Sequence, residues 1–334
     1  MNLENFAYTL PQELIAQEPL KKRDHARLLV VERKTQSIYH DRFSNLEKYL
    51  PKNSLLIVND SKVMPARLMG KREHTGGVIE VFLLNELKDG SFEVLMRPLR
   101  RLKNQDRIVF DGGIIATVVD RDKPSVRFNK KNIFKYLSKI GHIPLPPYIK
   151  RPDTRADQKD YQTVYAEKLG SVASPTAGLH FTRPLMKRLQ KQGFDFHKVT
   201  LHINYGTFKP VEEKDIRKHK MHSEAFSISP RTLKAIHSAK ASQRKIVAVG
   251  TTSCRVLETH AANGVLKGST NLFIYPGYQF KLVDVLLTNF HLPYSTLLML
   301  VSAFGGMDLV KQAYAQAIQE QYRFYSYGDA MLIL

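Results

Sequence analysis

The hexapeptide Gly250-Thr251-Thr252-Ser253-Cys254-Arg255 follows an apolar run and offers three hydroxyls, a guanidinium and, where a helix begins, free backbone N–H groups. Such a turn can hold a carboxylate or a phosphate, although an ordinary helix cap with a solvated arginine uses the same residues. In Met221-His222-Ser223-Glu224 an extended backbone would set the imidazole of His222 and the carboxylate of Glu224 on one face. A carboxylate beside an imidazole raises its basicity and fixes its tautomer, which suits proton transfer near neutral pH; a purely structural His–Glu hydrogen bond has the same spacing. His180 closes the small-residue loop Ala173 to Phe181, and His291 stands beside the amide of Asn289 in Thr288-Asn289-Phe290-His291-Leu292-Pro293. Asn59-Asp60 ends an apolar run, where side chains reach a ligand in open α/β sheets. The segment Tyr322 to Asp329 interleaves Tyr325 and Tyr327 with Arg323 and Asp329, able either to stack a nucleobase or to seal a last strand.

Other chemistries are disfavoured. The 12 histidines show no H-E-x-x-H or other reliable zinc spacing, so no metal is expected. No G-x-x-x-x-G-K-[ST] and no G-x-G-x-x-G occurs, which argues against a Walker nucleotidase or a Rossmann dinucleotide site. The single cysteine, Cys254, forms no internal disulfide, and no basic-led apolar leader opens the chain, so a cytoplasmic protein is expected. Leu297 to Phe304 is too short to cross a bilayer. With 51 Lys and Arg against 31 Asp and Glu, the net charge of +20 favours a polyanionic partner, and nucleic acid outweighs plain solubility. Most of the surplus falls in the first 220 residues, in clusters that include Arg100-Arg101 and Lys150-Arg151.

The elements that must position these groups read as mixed α/β. Arg27–Glu32 and Ser37–Asp41 predict a hairpin, Ser54–Val58 a buried strand, and Lys245–Gly250 another. Thr182 caps a helix to Gln192, a helix from about Thr251–Ser253 ends near Gly264, Ser295 caps an apolar helix, and an amphipathic helix covers Leu309 to Tyr322. Between Val63 and Lys150 about six short strands are separated by turns such as Asp89-Gly90 and Asp111-Gly112-Gly113, the pattern of a small antiparallel barrel. The expected architecture is a large mixed α/β catalytic domain, residues 1–62 and 151–334, interrupted by an inserted antiparallel β-barrel domain at 63–150.

Ten segments, in order along nearly the whole chain, resemble one family. They are Arg23-Asp24 with Arg27 to Val30, Val58 to Val63 leading to Pro65-Ala66-Arg67-Leu68, His142 to Ile149, Tyr161 to Ala166, Ser174 to Phe181, Gly206-Thr207-Phe208, Met221 to Glu224, Val249 to Ser253, Thr288 to Pro293 and Tyr322 to Met331. The family is S-adenosylmethionine:tRNA ribosyltransferase-isomerase of queuosine biosynthesis. Ser61 stands where the family often has Thr, Ser174 where it often has Ala, and Asp160 where Arg is common. The resemblance implies transfer and isomerisation of the ribosyl moiety of S-adenosylmethionine onto 7-aminomethyl-7-deazaguanine at the tRNA wobble position. The product is epoxyqueuosine-tRNA, released with adenine and methionine. S-adenosylmethionine is then a consumed cosubstrate, no cofactor is needed, and the partner is precursor tRNA, bound by a monomer. Under that resemblance His222, oriented by Glu224, leads as the proton-transfer group, with His180 and His291 as rivals, and Asp60 or one of those histidines is expected to protonate departing adenine. Thr251, Thr252, Ser253 and Arg255 are expected to hold the methionine carboxylate or a tRNA phosphate. Asn59, Asn289, Tyr325, Tyr327 and Asp329 are expected to bind substrate, and Arg100, Arg101, Lys150 and Arg151 to bind RNA. A basic RNA-binding protein without catalysis and an S-adenosylmethionine methyltransferase are the competing classes, the second weakened by the missing glycine fingerprint.

Overall fold

A computed structural model describes residues 1–204, 206 and 210–334; Thr207 and Phe208 of the quoted segments lie outside the described residues. The chain divides into two units. The larger holds Met1–Lys62, Pro147–Arg151 and Asp160–Leu334, the smaller Val63–Pro146 and Pro152–Lys159. The return is therefore less clean than a single boundary at 150, because Pro147–Lys150 group with the larger unit and Pro152–Lys159 with the smaller.

The larger unit is built on a mixed sheet. Its strands are β1 (Arg27–Glu32), β2 (Ser37–Arg42), β3 (Leu55–Asn59), β4 (Asp195–Leu201), β5 (Glu224–Ile228), β6 (Ile246–Val249), β7 (Lys267–Thr270), β8 (Val285–Asn289) and β9 (Ala330–Ile333). Their spatial order is β7-β5-β4-β3-β6-β8-β9-β1-β2. The centre, β4-β3-β6-β8, is parallel, while β5, β7, β9 and β2 run antiparallel to a neighbour. Central parallel strands need both faces covered, which explains the uninterrupted apolar runs Leu55-Leu56-Ile57-Val58 and Ile246-Val247-Ala248-Val249. Successive residues feed two cores. Leu55, Ile57, Ile246, Ala248 and Leu286 pack on one face with helices α2 (Pro230–Ala241), α3 (Thr251–Asn263), α4 (Thr296–Gly305) and α5 (Met307–Gln319). Leu56, Val58, Val247, Val249 and Leu287 pack on the other with Leu185 and Leu189 of α1 (Arg183–Lys191). Each of these Val, Leu and Ile side chains contributes roughly 1.5–3 kcal/mol on burial.

Local signals end these helices where the sequence places them. Thr182 Oγ1 accepts from Leu185 N and Ser295 Oγ from Leu298 N, while Gly264 closes α3 in a left-handed conformation.

The smaller unit is a closed six-stranded antiparallel barrel. Its strands follow the order Arg67–Arg72, Val78–Glu86, Phe92–Arg97, Ser125–Phe128, Ile114–Asp120, Arg107–Phe110, and the last pairs back onto the first through Lys71–Val109 and Arg72–Ile108. Closure removes free edges. The inserted-barrel fold class expected from the turn spacing is thus the one observed. Among the described residues no helix is long and apolar enough to cross a membrane.

Candidate active site

A cavity of about 340 Å³ lies within the larger unit, where the central parallel strands end. That edge of an open α/β sheet is where strands hand over to loops and helix starts, and ligands bind there. Its wall includes Ser174 to Ala177, Glu212-Glu213, His219 to Glu224 without Ser223, Gly250 to Thr252 with Arg255, Thr288 to Leu292, Tyr325-Ser326 and Tyr148. Gly250 makes the turn from β6 into α3 with φ at 88° and ψ at 154°, a backbone conformation that side chains do not tolerate. The turn aims the N-terminus of α3, a 13-residue helix, at the cavity with Thr251 and Thr252 at its rim. Gly178 has a different task. A side chain there would strike the Tyr165 hydroxyl and Thr163, so the small-residue loop is shaped by packing.

Among the described residues, three polar atoms in the cavity wall are buried without a hydrogen-bond partner: Thr252 Oγ1, Ser174 Oγ and Asn289 Oδ1. Buried polar groups are almost always paired in a finished core, so three orphans around one cavity mark a surface made for a ligand. The amide group of Asn289 is fixed from behind, because its Nδ2 donates to Tyr325 O at 3.0 Å and to His180 Nε2 at 3.2 Å. The ring of Tyr325 lies 4.6 Å from that of Tyr148, giving the cavity an aromatic wall.

The imidazoles differ in what surrounds them. His291 lines the cavity with Nε2 2.7 Å from Thr288 Oγ1, and burial pushes its pKa down to about 3. His180 does not line the cavity. It sits behind Asn289 against Phe43, and burial first, with the nearby positive charges of Arg323 and Arg23, holds its pKa down at about 4. His222 lines the cavity and is exposed, its ring resting on Gly206. His219 also lines it, and its Nδ1–H donates to Glu213 Oε2 at 2.9 Å.

Several sequence-based assignments are corrected by this geometry. Among the described residues Glu224 makes no hydrogen bond to His222. The extended strand starts only at Glu224, so the alternation that would align the two does not reach back to His222. Its carboxylate instead accepts from Asn204 N at 3.0 Å and pairs with Arg255. Arg255 borders the cavity but is spent on that pair and on Leu272 O at 3.1 Å, so it is not a free anion ligand. Ser253 is on the inward side of α3, fully buried and away from the cavity. Asn59 clamps two strands: its Nδ2 donates to Leu201 O, and its Oδ1 accepts from Leu201 N and Ser61 N. Asp60 faces Thr200 Oγ1 at 2.7 Å, outside the cavity, with burial raising its pKa. Asp329 closes a loop by accepting from Arg27 N and Arg323 N, both at 2.8 Å, and Tyr327 packs against Tyr161 rather than lining the cavity. Lys150 Nζ donates to Gln12 Oε1 and Arg151 Nε to Gln17 O, while Arg100 and Arg101 sit on an exposed turn of the barrel unit. The sequence reading gave no role to Glu213, weighed His219 only as a metal ligand with His222 and Glu224, and quoted Tyr148 only within the segment His142 to Ile149. Glu213 and His219 were hidden in a stretch that reads as a basic cluster. Among the described residues no group of three or more His, Cys, Asp or Glu is arranged to hold a metal.

Residues 3–333 match the model of a family described as queuosine biosynthesis protein. The chain belongs to that family. It is 49% identical over its full length, and over the full length of the relative, to the S-adenosylmethionine:tRNA ribosyltransferase-isomerase of Sulfurihydrogenibium sp., and 48% identical, again over both full lengths, to that of Symbiobacterium thermophilum. The crystal structure of S-adenosylmethionine tRNA ribosyltransferase from Thermotoga maritima superposes with a TM-score of 0.58 at 38% identity, covering 99% of this chain and 100% of that one. Membership of the queuosine family bears out the resemblance carried by the ten segments, and among the described residues eight of those segments contribute to the cavity wall: His142 to Ile149 through Tyr148, Tyr161 to Ala166 through Tyr161, Ser174 to Phe181, the Gly206 segment through Gly206, Met221 to Glu224, Val249 to Ser253, Thr288 to Pro293 and Tyr322 to Met331.

Proposed function

We propose that this chain is an S-adenosylmethionine:tRNA ribosyltransferase-isomerase that moves the ribosyl moiety of S-adenosylmethionine onto the aminomethyl group of 7-aminomethyl-7-deazaguanine at the tRNA wobble position. Isomerisation to an epoxycyclopentane accompanies the transfer, and adenine and methionine leave. The family and the full-length relatives support the reaction class. The observation that carries the site is the cavity at the sheet edge, whose wall holds the N-terminus of α3 and the Thr252 and Ser174 hydroxyls, both without a partner among the described residues.

That corner suits the methionine carboxylate: the free N–H groups and partial positive charge of a helix start favour an anion, and two hydroxyls complete its shell. The Asn289 carbonyl oxygen, aimed by the hydrogen bonds its Nδ2 donates to Tyr325 O and His180 Nε2, suits an exocyclic amine, and the Tyr148–Tyr325 wall suits a flat base. The sulfonium of the cosubstrate acidifies the ribose 5′ hydrogens beside it and later departs as a neutral thioether, so a positioned base is enough to start the chemistry. The basic surface supports tRNA as the second substrate.

Incubation with S-adenosylmethionine and tRNA carrying the deazaguanine precursor tests the reading. One adenine and one methionine are expected per modified tRNA. S-adenosylhomocysteine would indicate a methyltransferase, and no small-molecule product a passive RNA binder.

A further inference from the structure

Proton transfer in this cavity needs an imidazole that is reachable, basic and held in one tautomer. Three imidazoles line it: His219, His222 and His291. His291 is made a poor base by its burial. His222 is exposed, and among the described residues no carboxylate is hydrogen-bonded to it. His219 alone of the three is joined to a carboxylate, Glu213 Oε2 at 2.9 Å, and both partners line the cavity.

The rest of the ring is constrained as well. Phe273 packs against it in a T-shaped arrangement with centroids 5.4 Å apart, and the side chain is only 15% exposed. A carboxylate can only accept, so Nδ1 carries the proton and Nε2 is left with its lone pair free. Among the described residues no hydrogen bond occupies Nε2. The hydrogen bond from His219 in turn holds the Glu213 carboxyl below the usual range, so it is ionised at neutral pH and stabilises a charged ring. The 3₁₀ turn Ile216–Lys218, capped by Asp215, brings together two residues that stand six positions apart.

We propose that the Glu213–His219 pair is the proton-abstracting unit of the ribosyl transfer, with His219 as the catalytic residue and Glu213 as its positioning residue. This rests on the reaction proposed above. His219 Nε2 removes a hydrogen from the ribose carbon bonded to sulfur as a proton. The C–H bonding pair stays on that carbon, where the adjacent sulfonium stabilises it, and the ring becomes an imidazolium facing the Glu213 carboxylate. His222, the first choice from the sequence, then has a binding role or none.

Single-turnover adenine release, measured beside equilibrium binding of S-adenosylmethionine, tests the pair. His219→Ala is expected to slow release at least a hundredfold with cosubstrate binding within about threefold of wild type, and free imidazole in the buffer to restore part of the rate. Glu213→Gln is expected to lower kcat about tenfold and leave KM for S-adenosylmethionine unchanged. A His219→Ala rate within threefold of wild type, or a loss of rate matched by loss of binding, overturns the assignment while leaving the ribosyl-transfer reading intact. A wild-type protein that releases no adenine overturns both.

Discussion

The buried Glu224–Arg255 pair shows how residues read as chemistry can be needed for structure. Its side chains are 3% and 6% exposed, so each charge depends on the other. Removing one partner strands a buried charge and costs about 3–5 kcal/mol, whereas replacing both by apolar groups of similar size is close to neutral. Arg255→Met alone should therefore lower the unfolding free energy by that amount in urea titrations, and Arg255→Met with Glu224→Leu should recover most of it; equal losses in both variants would contradict the structural role. The Thr252 and Ser174 hydroxyls behave differently, because among the described residues neither has a hydrogen-bond partner. Thr252→Val and Ser174→Ala should leave stability nearly unchanged and weaken S-adenosylmethionine binding about tenfold each, as expected for lost hydrogen bonds to a charged group. Calorimetric titration that found wild-type affinity in both would remove the carboxylate corner from the account.

At the scale of elements, the strand-to-helix turn at Gly250 carries the site. A residue with a side chain at φ 88° and ψ 154° is strained by about 1–3 kcal/mol, so Gly250→Ala should lose that much stability and weaken cosubstrate binding together. Binding that survives in a destabilised variant would show that the helix start does not contact the ligand. Much of this level was legible in the sequence. The six barrel strands, the Thr182 and Ser295 caps, the Gly264 stop and the β6–α3 turn all follow from local rules of period and capping, and the structure places each within a residue or two. Tertiary pairing was not legible. Strand β8 and helix α2 were passed over because their short apolar runs lack an unambiguous period, and the partners of Glu224, Asn59 and Asp329 lie far away in sequence. The Glu213–His219 pair was missed for a different reason: the 3₁₀ turn between them brings positions six apart into contact, a spacing that neither the helix nor the strand period suggests.

For the molecule as a whole, charge and burial set the response to solution conditions. His180 and His291 stay neutral when folded, with pKa values near 4 and 3, but protonate near 6.5 once unfolded. Unfolding therefore takes up protons below pH 6.5, so stability is full above that pH and declines on acidification towards the folded values, by roughly 1.4 kcal/mol per pH unit for each group. Replacing His291 with Asn should flatten this slope in melts between pH 7 and 4.5; an unchanged slope would mean that the ring is solvated. The +20 surplus predicts that tRNA affinity drops steeply with salt, by a factor of about a thousand or more from 50 to 200 mM if six or more phosphates are contacted. The central claim is tested most directly by tracing the sugar. With S-adenosylmethionine labelled in its ribose carbons, digestion of the product tRNA should yield one labelled nucleoside carrying all five of those carbons, with unlabelled methionine in solution. Label found only in S-adenosylhomocysteine, with an unlabelled nucleoside, would contradict it.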